Sequence, residues 1–148
     1  MSDDPSSPPD PAAMAALRER YPGAELSEFG DSRALSDELI GLLLSGAKTA
    51  TCCALRDLEA GAEPMPAVGR RDVVIDWDGR PVLVTETTEV TLRRFDEVPE
   101  DFALAEGEGS FEDWRRGHEA YFARNGGFDP AMMLVCERLR VVEVLREP

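Results

Sequence analysis

The stretch Ser-Gly-Ala-Lys-Thr-Ala-Thr-Cys-Cys, residues 45–53, marks the change from helical to strand-like sequence. Before it, leucines recur at three- and four-residue spacing, which predicts an amphipathic helix over residues 32–45. Gly46 is the residue type that commonly ends a helix in the left-handed conformation. After it, threonines and small residues predict a strand over residues 49–55. Lys48 is therefore expected at a fixed junction between two elements.

The rest of the chain indicates a mixture of strands and helices. Strands are predicted over residues 72–77, 81–92 and 132–145, the first two joined by a turn at Asp78-Gly79. Helices are predicted over residues 13–20, 99–105 and 111–124, and a surface loop over residues 59–69. This order favours an α+β fold with a small mixed sheet or barrel over a doubly wound parallel sheet.

Length and composition predict one domain with a tail. The 148 residues are enough for one hydrophobic core, and residues 1–12 are rich in Pro, Ser and Asp, which predicts a disordered tail before a single domain over residues 13–148. The sequence has no apolar run of the roughly 18 residues that a membrane span needs. Because the N-terminus has neither a basic start nor an apolar run, we expect no secretory signal and a cytoplasmic location.

The formal net charge of -14 restricts the class of ligand. A long nucleic acid duplex is disfavoured, because binding a phosphate backbone requires clustered lysine and arginine. A single nucleoside or short single-stranded RNA is still a candidate ligand, since one base is recognised by stacking and by hydrogen bonds to its edges. The acidic segment over residues 96–113 contains no basic residue and is by default a solvated surface.

The positions of the cysteines and the histidine do not match the spacing found in the usual zinc sites. Cys52 and Cys53 are neighbours, Cys136 stands alone, and His118 is the one histidine of the sequence. We therefore expect reduced thiols, no zinc cluster and no cofactor, while a metal held only by carboxylates stays open.

Lys48 and Thr51 are the candidate reactive pair. A neutral lysine can take the proton of a threonine hydroxyl as that hydroxyl attacks a carbonyl carbon, whereas a neighbouring carboxylate would keep the lysine charged. In a regular strand the two side chains point to opposite faces, so their convergence requires a bend after Gly46. The other interpretation is an ordinary strand entry with a solvated lysine.

Short motifs distributed along the chain resemble those of one known family. They are Phe29–Ser32, Leu44–Thr51, Gly79–Pro81, Thr87–Val90, Phe95–Val98, Phe102-Ala103, Glu106–Ser110, Trp114–His118 and Val135–Arg138. Their order is similar to that of ASCH domains, specifically the small stand-alone bacterial branch, over about residues 21–142. The resemblance implies a PUA-like fold, a small mixed barrel of about five or six strands with surrounding helices and a cleft suited to RNA or a modified base.

The resemblance also implies site residues. A related branch hydrolyses the amide of N4-acetylcytidine with a lysine, a threonine and a glutamate, which correspond here to Lys48, Thr51 and Glu106, with Glu108 as the alternative glutamate. Thr49 belongs to the same signature. In the last strand Glu137 and Arg138 are expected to line the cleft, with a structural ion pair as the alternative.

An aromatic stripe on the helix over residues 111–124 has two interpretations. Phe111, Trp114, His118 and Tyr121 recur at spacings of three, four and three residues, which places them on one side of that helix. Such a stripe usually packs in the core, although Trp114 or Tyr121 could instead stack on a base.

Three functions remain as hypotheses. The first is hydrolysis of an amide on a modified pyrimidine nucleoside. The second is an RNA-binding module without catalysis, or a ribonuclease, and the third is a protein-interaction domain with a vestigial pocket. Neither the oligomeric state nor the choice between nucleoside and RNA follows from the sequence.

Overall fold

The computed structural model describes residues 11–61 and 64–146. The helices within that part of the chain are α1 (Pro11–Arg20), α2 (Arg33–Ser45), α3 (Leu55–Glu59), α4 (Glu100–Ala105) and α5 (Phe111–Arg124), with a 3-10 turn over Phe95–Glu97. The strands are β1 (Glu25–Glu28), β2 (Ala50–Ala54), β3 (Arg71–Ile75), β4 (Pro81–Arg94) and β5 (Met133–Val144). Among these elements, no helix is long and apolar enough to cross a membrane.

The five strands form one mixed sheet in the order β1-β3-β4-β5-β2. β1 pairs with β3 in parallel, whereas β3 with β4 and β2 with β5 are antiparallel. A mixed sheet combined with helices confirms the predicted α+β class, and the strand number agrees with the expected five or six. The β3–β4 hairpin turns at Asp78-Gly79 as predicted, and Gly79 has the positive φ of 83° that such turns require.

The chain divides into two compact units, each with contacts of its own. Among the described residues the first comprises 11–45, 69–86 and 140–146, and one of its apolar clusters packs Leu17 of α1 against Val73 and Val84. The second comprises residues 46–61, 64–68 and 87–139 and contains Lys48. Its core is built from β2, the start of β5, α4 and α5, with Phe95, Phe102, Trp114 and Phe122 as the largest buried side chains.

Local sequence signals explain where the two long helices begin and end. The Ser32 hydroxyl accepts a hydrogen bond from the Leu35 amide at the start of α2, and Gly46 follows its end with φ 86°. At the start of α5, Ser110 and Asp113 exchange hydrogen bonds between side chain and backbone, which forms a capping box. These are the helix ends that the sequence predicted.

Two local features differ from the sequence expectations. The short helix α3 lies between β2 and the predicted loop, where no helix was expected, and α1 begins at Pro11 rather than at residue 13. In β4, Thr85 and Thr87 are buried, with 3% and 2% exposure. The predicted disordered tail falls mainly on residues 1–10, which lie outside the described part of the chain.

A close backbone approach fixes the segment before β2. A side chain on Gly107, which follows α4 with φ 81°, would place its Cβ 2.8 Å from the Ala47 carbonyl oxygen. The Thr49 amide also donates to the Ala105 carbonyl at 2.8 Å. The turn after α4 therefore lies directly against the residues that flank Lys48.

We predict that Gly107→Ala destabilises the protein more than the matched change Gly61→Ala. Both glycines have positive φ, so each alanine costs roughly 1–2 kcal/mol of backbone strain, but Gly61 has no neighbour within 4 Å of the added Cβ. The difference between the free energies of unfolding of the two variants, measured in urea, gives the cost of the contact with Ala47. Equal free energies of unfolding would contradict this contact.

Candidate functional site around Lys48

Lys48 is a buried cation at the entrance to β2. The residue is 2% exposed, and its Nζ donates to Oε1 of Glu106 at 3.0 Å. Glu106 follows the last residue of α4 and is 1% exposed. An ion pair this deeply buried loses much hydration on both sides, so it persists only with close geometry and further hydrogen bonds.

Two aromatic residues of α5 complete the surroundings of Glu106. Trp114 Nε1 donates to Glu106 Oε2 at 3.1 Å, and His118 Nε2 lies 3.7 Å from the same oxygen. Burial by itself raises the pKa of the Glu106 carboxyl, but Lys48, His118 and Trp114 stabilise the carboxylate more strongly and lower that pKa to about 2. Glu106 is therefore ionised at neutral pH.

His118 is held in place by its other ring nitrogen. Nδ1 lies 2.8 Å from the Trp114 carbonyl oxygen, so this nitrogen carries a proton and donates it. The imidazole stacks on the Trp114 ring with centroids 4.4 Å apart. Burial lowers the pKa of His118, but Glu106 opposes this effect and the pKa is raised overall.

Glu108 is the more accessible of the two acids that face Lys48. Its Oε2 lies 3.9 Å from Lys48 Nζ, and its side chain is 21% exposed, compared with 2% for the side chain of Glu106. The two carboxylates thus differ in environment, one fixed inside the network and one at its edge. Both belong to the acidic segment over residues 96–113, which at this point faces a cation rather than solvent.

Cys52 adds a thiol to the same cluster. One ligand atom each of Cys52, Glu106 and His118 lies within 4.8 Å of the other two. Burial, and then the charge of Glu106, raise the pKa of the Cys52 thiol well above its ordinary value. The thiol is therefore protonated at neutral pH and is a poor nucleophile in this environment.

Thr51 belongs to the other face of β2. It pairs with Glu137 of β5, and the Glu137 carboxylate accepts a hydrogen bond from the Thr87 hydroxyl at 2.9 Å. Side chains alternate along a regular strand, and the β2–β5 register has no shift, so Thr51 points away from the face of Cys52. The structure thus brings Lys48 and Glu106 together and places Thr51 with Glu137.

The remaining candidates have three kinds of environment. Thr49 is exposed and lies beside the Ala105 carbonyl oxygen. Trp114 is 1% exposed, with Phe95 stacked on its ring at 5.3 Å and His118 at 4.4 Å, which places it in the core. Arg138 forms ion pairs with Asp101 at 3.2 Å and Glu89 at 3.8 Å, the structural alternative that its sequence position left open.

Cys52 and His118 are the members of this network that sequence reasoning did not assign to the site. The one available signal was the spacing of Trp114 and His118, which places both on the same side of α5 as the residues of the core. Nothing in the sequence relates that side of α5 to Glu106.

We predict that Lys48→Met destabilises the protein by about 3–5 kcal/mol, because it leaves the buried Glu106 carboxylate without its cation. The double variant Lys48→Met/Glu106→Gln should recover a large part of this loss, since it removes both charges. Urea unfolding of the two single variants and the double variant gives the coupling free energy. Additive effects of the two substitutions would show that the side chains do not interact.

Protonation of Glu106 in acid should lower the free energy of unfolding. The folded pKa of about 2 lies below the ordinary value of 4.5, so the carboxylate contributes stability that is complete above pH 4.5 and is lost as the pH falls toward 2. We expect the free energy of unfolding of the wild type to fall more steeply over this window than that of Lys48→Met/Glu106→Gln. Parallel pH profiles would contradict the assigned ionisation.

Comparison with known proteins identifies the family of the chain. The family model of the ASCH domain matches residues 25–143. An ASCH domain structure from Lactobacillus crispatus is 32% identical, with a TM-score of 0.77 over 86% of this chain and 85% of the other. Protein EF3133 from Enterococcus faecalis is 29% identical, with a TM-score of 0.79 over 90% and 87% of the two chains. No curated protein matches the chain.

A more distant structure extends the likeness in fold alone. An ASCH protein from Zymomonas mobilis is 16% identical, with a TM-score of 0.52 over 74% of this chain and 68% of the other. Together with the two bacterial structures it confirms the barrel-type α+β fold that the sequence resemblance implied. The chain belongs to the ASCH domain family.

Proposed function

We propose that this protein hydrolyses the amide of a small modified pyrimidine nucleoside of the N4-acylcytidine type. The observation that carries the proposal is the position of Lys48 between two carboxylates, Glu106 at 3.0 Å and Glu108 at 3.9 Å. Buried charged networks of this kind oppose stability when they are incomplete, and they are common at catalytic sites.

The charge of the site favours a neutral substrate. The Lys48 ammonium faces two carboxylates, so it offers little net attraction to a phosphate backbone, and the whole chain carries a formal charge of -14. In the unit that contains Lys48, Arg56 donates to the carbonyl oxygens of Asn125 and Gly127, and Arg94 pairs with Asp96. These contacts hold both guanidinium groups on acceptors other than the acids around Lys48.

The two glutamates receive different roles. Glu106 is buried and ionised with a pKa of about 2, so it orients Lys48 and is a poor proton donor at neutral pH. Glu108 has the accessible carboxylate, and we assign the contact with substrate to it. This reverses the sequence preference for Glu106 as the reacting acid.

In the proposed reaction, Glu108 takes a proton from a water molecule as the water oxygen adds to the acyl carbon. Glu108 thereby loses its charge, and the Lys48 cation then balances the negative oxygen of the tetrahedral intermediate. The carbon–N4 bond breaks, and the proton on Glu108 passes to N4. The products are a carboxylic acid and cytidine.

The Thr51 hydroxyl is the alternative nucleophile. If its hydroxyl attacked instead of water, an ester on Thr51 would form first and water would hydrolyse it in a second step. Its pairing with Glu137 on the other face of β2 favours the route through water. Thr51→Val separates the two routes, because only the covalent route needs the hydroxyl.

RNA binding is the second candidate function. An ASCH domain with a barrel-like fold is consistent with an RNA-binding domain, and nucleic-acid binding is the general expectation for the family. Short single-stranded RNA is therefore the second candidate ligand. Its affinity would fall steeply as salt concentration rises, unlike that of a neutral nucleoside. A cytoplasmic site of action follows the sequence expectation and is part of the proposal.

Incubation of the purified protein with N4-acetylcytidine, followed by chromatography, tests the reaction directly. We expect the release of cytidine and acetate, and a loss of kcat of at least about 100-fold in Glu108→Gln. Glu112→Gln is the matched control, because Glu112 is an exposed acid that pairs with Arg115 and Arg116 on α5. Thr51→Val should keep most of the activity.

Two results would overturn the proposal. One is the absence of cytidine from reactions with correctly folded wild type, particularly if short RNA binds with a strong salt dependence. The other is full activity in Glu108→Gln. If Thr51→Val loses activity as completely as Glu108→Gln, the route through water is wrong and the covalent route replaces it.

A further inference from the structure

We propose that Cys52, Glu106 and His118 form a binding site for a zinc ion or a chemically similar divalent cation. The three residues come from β2, the position after α4, and α5, and one ligand atom of each lies within 4.8 Å of the other two. The sequence predicted no zinc cluster, because these residues stand at no recognisable spacing. The fold brings them together.

The separation of Glu106 and His118 is the first argument. His118 Nε2 and Glu106 Oε2 are 3.7 Å apart, which is too long for a hydrogen bond. Two nitrogen or oxygen ligands of one tetrahedral zinc ion, each bonded at about 2.0–2.1 Å, lie roughly 3.4 Å apart. Small movements of the two side chains would therefore bring both atoms into coordination.

The hydrogen bonds around the ligands are the second argument. A metal-binding histidine usually donates its other ring N–H to a carbonyl or carboxylate, and His118 Nδ1 is 2.8 Å from the Trp114 carbonyl oxygen. Ligating carboxylates are themselves held by donors, and Glu106 accepts from Lys48 on Oε1 and from Trp114 on Oε2. Both ligands are thus oriented in advance.

The kind of ion follows from the donor atoms. One sulfur, one nitrogen and one oxygen suit zinc or cobalt, whereas calcium and magnesium require oxygen ligands. On binding, the Cys52 thiol releases its proton and the thiolate bonds to the metal. Three protein ligands leave a fourth tetrahedral position for water. The site does not depend on the proposed hydrolase activity, because Lys48 contacts the other oxygen of Glu106.

Cobalt chloride is the probe that reports thiolate ligation directly. The full-length protein is stripped with a chelator, kept reduced with a phosphine, and titrated with Co2+. We expect one equivalent to bind with a thiolate-to-cobalt charge-transfer band in the near ultraviolet and tetrahedral bands in the visible. Cys52→Ser should abolish the charge-transfer band, and His118→Gln should weaken binding by at least about 10-fold. Zinc chloride should displace the cobalt.

Cys53→Ser is the matched control, since Cys53 is the next residue and pairs with Val135 on the other strand face. It should bind cobalt as the wild type does. If Cys52→Ser fails to fold, zinc should still protect Cys52, but not Cys53, from alkylation in the wild type. The proposal is wrong if folded wild type shows no charge-transfer band, or if zinc leaves the alkylation of Cys52 unchanged.

Discussion

The buried ion pair between Lys48 and Glu106 is the interaction on which the rest of the candidate site depends. Its two partners are 58 residues apart in sequence and both are almost completely inaccessible. An isolated charge at either position would be very unfavourable, so each side chain requires the other. The pair therefore fixes the segment before β2 against the turn after α4, which is also where Gly107 lies against Ala47.

The two glutamates near Lys48 have different environments, and we assign them different roles. Lys48, His118 and Trp114 stabilise the Glu106 carboxylate more strongly than burial destabilises it, and this explains its low pKa of about 2. Glu108 is farther from the lysine and partly exposed, and we propose that its carboxylate takes and returns the proton in the reaction. The two oxygens of Glu106 also face different partners. The cation pair and the proposed metal site can therefore use the same carboxylate from two sides.

The sequence predicted those features that depend on short stretches of chain. Ser32, Gly46 and Ser110 mark helix boundaries through bonds or backbone angles within a few residues, and the structure has a helix beginning after Ser32 and after Ser110 and one ending before Gly46. The alternation of side chains along a strand also indicated that Lys48 and Thr51 could converge only if the chain bends after Gly46. Lys48 was identified because it follows a helix end and matches a family signature.

Features that depend on tertiary contacts could not be predicted from the sequence. The five-residue helix α3 is too short for periodicity to reveal it, and the burial of Thr87 depends on its bond to Glu137, 50 residues away. The choice between Glu106 and Glu108 required knowing which of them Trp114 and His118 contact. The local sequences around Glu106 and Glu108 do not indicate which of the two has these contacts.

The measurement that tests the central claim most directly is a crystal structure with a non-hydrolysable N4-acylcytidine analogue. The account predicts that the acyl group lies within hydrogen-bond distance, roughly 3 Å, of the Glu108 carboxylate, while the bond from Lys48 to Glu106 is retained. An analogue bound instead against Thr51, Thr87 and Glu137, on the other face of β2, would contradict it.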